Sequence, residues 1–295
     1  MNTTFKTFRI FAVYIFNNNH FVIEVFYTVF NTRRTTLLRA ERNISQLSSS
    51  PVIAALSQYV AEQFRQHYNT NPQRIVVIPN GVKIGLKADE NQTYTLRSKI
   101  LAKLSLKEAD NPVLFLFAAN NFRLKGLIPL IKAMAIAADK VVHRKICLIV
   151  AGSDNAKKYQ RLARSSGLKS ILFIGALGHI QNALAAADVA VLPTFYDPSS
   201  RFILEALAAD KPVITTKFNG ATDMFVNNRH GIVINSPLDI QGLAEAIVYF
   251  TDVKNIQVTS QAIAQDNLKK NISIGRAAEQ LMKVYELIIQ KKGRQ

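Results

Sequence analysis

A single cysteine, few prolines and glycines, and about half as many acids as bases leave several functional classes without support in this 295-residue chain. One thiol, Cys147, excludes an intramolecular disulfide framework. It stands in Lys145-Ile146-Cys147-Leu148-Ile149-Val150, an apolar run that reads as a buried strand with a core thiol rather than a nucleophile. Nine prolines and twelve glycines with no low-complexity tract exclude a disordered or fibrous chain, and the 48% hydrophobic content suits one large domain or two of ordinary size. The five histidines have no metal-ligand spacing, so no metal site is expected. Residues 8–30 are rich in phenylalanine and β-branched residues, but Asn17-Asn18-Asn19-His20 divides them. Neither half reaches the roughly 18–20 residues of a membrane span, and no small-residue cleavage site follows. The two halves read as a hairpin about the asparagine cluster, with a lipid-touching surface as the alternative.

The scarcity of acids gives a formal charge of +17. About +7 falls in the first 110 residues and about +10 in the rest, with no arginine-rich run interleaved with aromatics. That argues against specific nucleic-acid binding. It suits a surface that favours polyanions generally, such as anionic lipid headgroups or an acidic glycolipid.

From Ser50 the chain alternates. Residues 52–56 read as a strand, Ser57 as the cap of a helix through Tyr59, Val60 and Phe64, and residues 74–79 as a second strand closed by Asn80-Gly81. Residues 83–111 are polar and read as a connection with a helical patch from Leu96 to Leu104. Near-continuous apolar strands then follow at 113–118, 146–151, 171–174, 189–192, 213–216 and 231–234. Helical patterns lie between them, and a helical tail runs from about 238 to 291. Such alternation predicts a parallel sheet covered on both faces, with ligands at the carboxyl ends of its strands.

Three loops fall at those ends. Asn120-Asn121-Phe122-Arg123-Leu124-Lys125-Gly126 places two cations and a glycine at a helix start, a combination that holds phosphates. In the segment from Pro193 to Ala208 a polar loop carries Asp197, and Glu205 follows eight positions later on a helix, read as two turns from its start. Ser199 and Ser200 can cap that helix or bind phosphate oxygens, beside the first-turn amides of Ser200, Arg201 and Phe202. Two carboxylates at a phosphate site suit the hydroxyls of a sugar or ribose. Lys217-Phe218-Asn219-Gly220-Ala221-Thr222-Asp223 is the third loop. Each loop alone is an ordinary turn; three converging loops define a crevice.

Asn80-Gly81-Val82, Lys125-Gly126, Asp197-x7-Glu205, the run from Glu205 to Val213, and Asn219-Gly220 together resemble the retaining glycosyltransferases of family 4. The phrase Pro193 to Ser200 is similar to the lipopolysaccharide-core glucosyltransferase (WaaG-like) branch. The resemblance covers roughly residues 40–290 and implies a GT-B-like α/β fold of two Rossmann-like domains. Residues 1–95 would be a shortened acceptor-side domain with linker, 96–275 the nucleotide-sugar domain, and 276–295 a C-terminal helix and basic tail. It further implies that Arg123 and Lys125 neutralise the donor diphosphate and that Asp197 lies near the transferred sugar. Glu205 would bind the ribose, and Ser199, Ser200, Arg201, Asn219 and Gly220 would complete the donor site. No cofactor or bound metal is implied. The donor would be a nucleotide diphosphate sugar such as UDP-glucose and the acceptor a cell-envelope glycan. The location would be cytoplasmic or peripheral to the inner membrane face.

The chain departs from the pattern in three places. Asp197 replaces the usual glutamate, Asp210 stands at a usual glycine, and only 79 residues precede Asn80 where the family has many more. A binding-only homologue, or another GT-B enzyme such as a nucleotide-sugar epimerase, is the alternative.

Overall fold

A computed structural model describes residues 52–292 and two further strands, β1 (Val13–Asn17) and β2 (His20–Glu24). These two pair antiparallel with Asn17 opposite His20, the hairpin that the asparagine cluster predicts. The rest of residues 1–51 lies outside the described residues, and with it the alternative of a lipid-touching surface in 8–30.

The N-terminal part holds a parallel pair, β3 (Ile53–Ala55) and β4 (Ile75–Val77), linked by α1 (Gln58–Tyr68). Ser57 caps α1, its hydroxyl accepting from the Val60 amide at 3.2 Å. Val60, Phe64 and Tyr68 are the buried stripe of that helix and pack with Ile53, Ala55 and Tyr196. Tyr196 comes from the other half of the chain, so the two parts share this small core.

The larger part begins with α2 (Glu90–Lys103). The sequence places a helical patch only from Leu96, because the first two turns are polar and show no apolar period. The helix nevertheless starts at Glu90, where Asp89 accepts from the Gln92 amide at 2.8 Å, and it buries only Ile100 and Leu101. Six strands follow: β5 (Val113–Ala118), β6 (Ile146–Ala151), β7 (Ile171–Gly175), β8 (Val189–Leu192), β9 (Val213–Thr216) and β10 (Gly231–Ile234). They form one wholly parallel sheet in the order β10-β9-β8-β5-β6-β7. This is the doubly wound order, and its strand sequence reverses between β5 and β8. The connecting helices are α3 (Leu127–Lys140), α4 (Lys157–Ser165), α5 (Ile180–Ala186) and α6 (Arg201–Ala208). Helices on both faces explain the unbroken apolar strands: Leu114, Phe115, Leu116 and Phe117 are all buried. Cys147 lies inside β6, where burial pushes its thiol up to about 12 and keeps it protonated.

The helical tail is four helices rather than one: α7 (Ile240–Tyr249), α8 (Val253–Gln265), α9 (Leu268–Asn271) and α10 (Ile274–Lys292). Asp252 caps α8, and Asn267, in the left-handed region at φ +52°, separates α8 from α9. The last helix returns to the N-terminal part, packing Val284, Leu281 and Ile288 on Ala54, Ile78, Val52 and Val76. Where it begins, Val82 donates to Ile272 O at 2.8 Å and accepts from the Ile274 amide at 2.9 Å. A side chain at Gly81 would lie 2.4 Å from the Ile274 Cα, so the Asn-Gly-Val turn needs its glycine for close approach. No helix among the described residues is long and apolar enough to cross a membrane.

Candidate functional site

The loops after β5 and β8 flank the reversal point, and they are bonded to each other. Gly126 adopts φ +81°, and a Cβ there would meet Pro193 O at 1.9 Å. The Phe195 amide donates to Leu124 O at 2.9 Å. This contact brings Lys125 to Asp197: Lys125 Nζ lies 2.7 Å from Asp197 Oδ2 and 3.0 Å from Tyr196 O. The pair is largely buried, with side chains 19% and 12% exposed. An ammonium has three donors, so Lys125 keeps one N–H beyond these two bonds. Asp197 Oδ1 also accepts from the Ser199 amide at 3.2 Å, leaving lone pairs on both oxygens for a further donor.

The sequence pairs both cations with a diphosphate; the structure gives them different settings. Lys125 balances Asp197. Arg123 is exposed and makes no ion pair among the described residues, so it is an uncompensated cation at this end of the sheet, as are Lys157 and Lys158.

The third loop holds the second in place. Asn219 is fully buried, its Oδ1 accepting from Ser200 N at 3.2 Å and Ala221 N at 3.1 Å and its Nδ2 donating to Thr215 Oγ1 at 2.9 Å. These three bonds let the Asn219 side chain hold the starts of α6 and of the Gly220 turn in place. Gly220 is required by crowding, because a Cβ would fall 1.9 Å from Pro198 O and 2.2 Å from Ser57 Oγ. Its N–H donates to Asp197 O at 2.8 Å.

At the start of α6, Ser200 is the cap, as expected, its hydroxyl accepting from Ile203 N at 3.4 Å, whereas its amide is occupied by Asn219 rather than open to a ligand. The amides of Arg201 and Phe202 are the first-turn donors without an intrahelical acceptor. Ser199 is buried, yet its hydroxyl has no partner among the described residues. Buried hydroxyls are normally satisfied, so this one fits a ligand oxygen.

Glu205 is the fifth residue of α6, one turn from the start rather than two. Its carboxylate meets the exposed Arg201 at 3.4 Å and opens onto a cavity of about 300 Å³ lined by Lys83, Gly85, Leu86, Gln181 and Lys211. Burial raises its pKa above the usual carboxylate range, opposed by Arg201. Lys211, which donates to Ala187 O at 2.8 Å, is pushed down by burial.

A protonated Glu205 is a poorer acceptor, so affinity for a ribose should fall on acidification, beginning above the pH at which an ordinary glutamate titrates. The stability effect has the opposite sign. A carboxyl whose folded value is raised favours the folded state below its unfolded value, and this gain is lost as pH rises through the folded one. Titration calorimetry with UDP between pH 4 and 7 should show the weakening in the parent and its absence in Glu205→Gln. A parent affinity constant across that range would remove Glu205 from the site.

The family model described as Glycosyl transferases group 1 matches residues 99–271. The chain belongs to this family. A second model, Glycosyltransferase Family 4, matches residues 10–85 of this group 1 glycosyltransferase. Lipopolysaccharide glucosyltransferase WaaG of Escherichia coli (strain K12) is 28% identical over 208 residues, 70% of this chain and 54% of that protein. The UDP-Gal:alpha-D-GlcNAc-diphosphoundecaprenol alpha-1,3-galactosyltransferase of Escherichia coli is 26% identical over 225 residues, 75% and 56% of the two chains. The chain thus spans about half the length of these curated relatives. The crystal structure of Anabaena HepE in complex with UDP and glucose aligns with TM-score 0.72 and 22% identity, covering 85% of this chain and 67% of that one. The WaaG crystal structure aligns with TM-score 0.59 and 23% identity, covering 84% and 62%. These matches show a GT-B-like fold.

Three bonds at the site are not visible in the motifs. Ser57 Oγ donates to Pro198 O at 2.8 Å, Asn80 Nδ2 to Ser199 O at 2.8 Å, and Gln58 N to Asp223 Oδ2 at 2.6 Å. The N-terminal part therefore sits directly on the Asp197 loop. Ser57 and Asn80 are legible as a cap and a turn, but nothing in the sequence shows that each bonds a second time across the cleft. Asp210, at the family's glycine position, does adopt the left-handed region at φ +55°, and Lys269 bonds its carboxylate at 2.6 Å.

Proposed function

We propose that this group 1 glycosyltransferase transfers a hexose from a nucleotide diphosphate sugar, UDP-glucose or a close analogue, to a cell-envelope glycan such as a lipopolysaccharide core, with retention at the anomeric carbon. The observation that carries this reading is the Lys125–Asp197 pair at the β5/β8 reversal point. It puts a donor for phosphate and an acceptor for sugar hydroxyls within one hydrogen bond of each other. The diphosphate lies against the amides of Arg201 and Phe202 and the Ser199 hydroxyl, with Arg123 as an unbalanced cation. Glu205 takes the ribose, and the cavity of about 300 Å³ beside it has the size of a small-ligand pocket. Lys125 and Arg123 stabilise the departing nucleoside diphosphate as its charge grows, the role that cations and fixed dipoles play in such steps. The reaction is assigned to the cytoplasmic side, where the nucleotide sugar is the activated donor.

That WaaG is named a lipopolysaccharide glucosyltransferase, and that HepE was crystallised with UDP and glucose, supports the choice of donor and acceptor class. The test is to incubate the purified chain with UDP-glucose, UDP-galactose or GDP-mannose and a deacylated core oligosaccharide, measuring nucleotide binding and nucleoside diphosphate release separately. UDP-glucose binding with acceptor-dependent UDP release is expected. Binding without release would leave the donor site and remove the transfer. Failure of all three nucleotides to bind would remove both.

A further inference from the structure

Between Asp154 and Asp188 the chain has no acidic residue, yet it carries Lys157, Lys158, Arg161, Arg164 and Lys169. All five are exposed and none is in an ion pair among the described residues. Lys157, Arg161 and Arg164, at spacings of four and three, lie on one outward line of α4, while Tyr159 and Ala163 hold its inner face. Locally this arrangement is unfavourable. Two lysines occupy the first turn, where the helix dipole favours anions, and no acid accompanies them there, although Asn155 Oδ1 accepts from the Lys157 amide at 3.0 Å. Like charges then repeat at i, i+4 along the line. The first turn of α4 thus runs against its dipole while Arg164 in the last turn accords with it, and the outward cations without an acid partner suit an external anion.

The surroundings say which kind. Residues 141–145, the turn before β6, lie at the same sheet edge as the turn before β7, since Leu148 N donates to Ser170 O at 2.9 Å. Val142 in that turn is 87% exposed among Lys140, His143 and Lys145. An apolar side chain presented between cations suits an interface of headgroups and acyl chains. A stacking platform for bases is missing, since the aromatic ring of α4, Tyr159, is fully buried against Phe122 at 5.4 Å. Asp139 is the counterweight, an exposed acid on the last turn of α3. At its other end Lys157 and Lys158 follow the loop after β6, at the carboxyl end of the sheet where the loops after β5 and β8 form the candidate site.

We propose that the outer face of α4, with residues 141–145, docks this protein on an anionic lipid surface and so presents the mouth of the cleft at that surface. The surface is separate from the donor site and does not depend on its reading.

Sedimentation with phosphatidylcholine vesicles, with and without phosphatidylglycerol, tests it. The parent should bind only the anionic vesicles and release them at high salt, since screening shortens to about 3 Å at 1 M. The variant Lys157→Gln/Lys158→Gln/Arg161→Gln/Arg164→Gln should lose on the order of a hundredfold in vesicle affinity. It should keep its UDP affinity and a melting temperature no lower than the parent's, because it relieves like-charge contacts. A control of equal charge change, Lys87→Gln/Lys99→Gln/Lys103→Gln/Lys254→Gln, should lose far less. Val142→Ser should weaken vesicle binding and leave binding of a single-stranded oligonucleotide unchanged. Equal losses in the two quadruple variants would reduce the effect to net charge and overturn the docking face. So would a parent that ignores anionic vesicles, or an α4 variant that loses only the oligonucleotide.

Discussion

Lys125→Ala is expected to cost both folding stability and turnover, and the two losses should separate. The ammonium is bonded to Asp197 and to Tyr196 O in a setting where both charged side chains are mostly shielded from water. Removing one member of a fully buried pair costs about 3–5 kcal/mol, because the remaining charge is left without compensation. Here the residual exposure and the Ser199 amide on Asp197 reduce that, so about 2 kcal/mol is expected in a denaturant titration. For turnover, one preorganised donor at a developing charge contributes roughly a hundredfold or more. Lys125→Ala/Asp197→Ala removes the stranded carboxylate, so its stability should recover toward the parent while its turnover does not. Lys125→Arg should rescue neither fully, since a planar guanidinium cannot reproduce two bonds to Tyr196 O and Asp197 and still aim a third donor. A Lys125→Ala protein with parental turnover would remove the lysine from the chemistry and leave it a structural ion pair.

The second large effect is expected at Gly126. Alanine there would have to hold φ +81°, which costs about 1–2 kcal/mol for a residue with a Cβ. Its Cβ would also lie 1.9 Å from Pro193 O, a backbone atom that cannot swing aside. The contact can be relieved only by separating the β5 and β8 loops, which would strain the bond from Phe195 N to Leu124 O. A loss of at least about 3 kcal/mol is expected, or a fall of roughly 6–12 °C in melting temperature for a domain of this size. Gly85 provides the comparison. It has nearly the same backbone angle, φ +78°, but open space where a Cβ would stand. Gly85→Ala should show the conformational cost alone. Equal melting temperatures for the two variants would mean that the loop contact at Pro193 is not what Gly126 maintains.

The sheet is legible in the sequence because its inner strands are buried on both faces, so that Leu114 to Phe117 or Val189 to Leu192 appear as unbroken apolar runs. The opening of α2 is not, because a helix that rests only Ile100 and Leu101 on the core leaves little period to read and begins on a cap, Asp89. At the site, the residue types and their order along the chain are visible, but the pairing is not. Lys125 and Asp197 are 72 positions apart, and the packing of Gly126 on Pro193 with the bond from Phe195 N to Leu124 O makes them neighbours. Asn219 looks like an exposed turn residue beside a glycine, and nothing local shows that its amide is enclosed and joined to Ser200, Ala221 and Thr215. Glu205 is visible as a helix residue, whereas its burial depends on the residue 83–88 segment lying across α5 and α6.

The bonds from Val82 to Ile272 and Ile274 carry a mechanical consequence. The chain passes between its two halves near Val82 and again at the start of α10, and the two passages are laced together side by side, with Gly81 pressed on Ile274. Two strands crossing at one place act as a single axle. Sliding or twisting of one half past the other would tear that lacing, whereas swinging about it would not. The bonds of Ser57 and Gln58 to Pro198 and Asp223 then behave as a clasp on the swinging side. Lifting α1 from the Asp197 loop would have to break this clasp and also draw Tyr196 out of the core it shares with Val60 and Phe64.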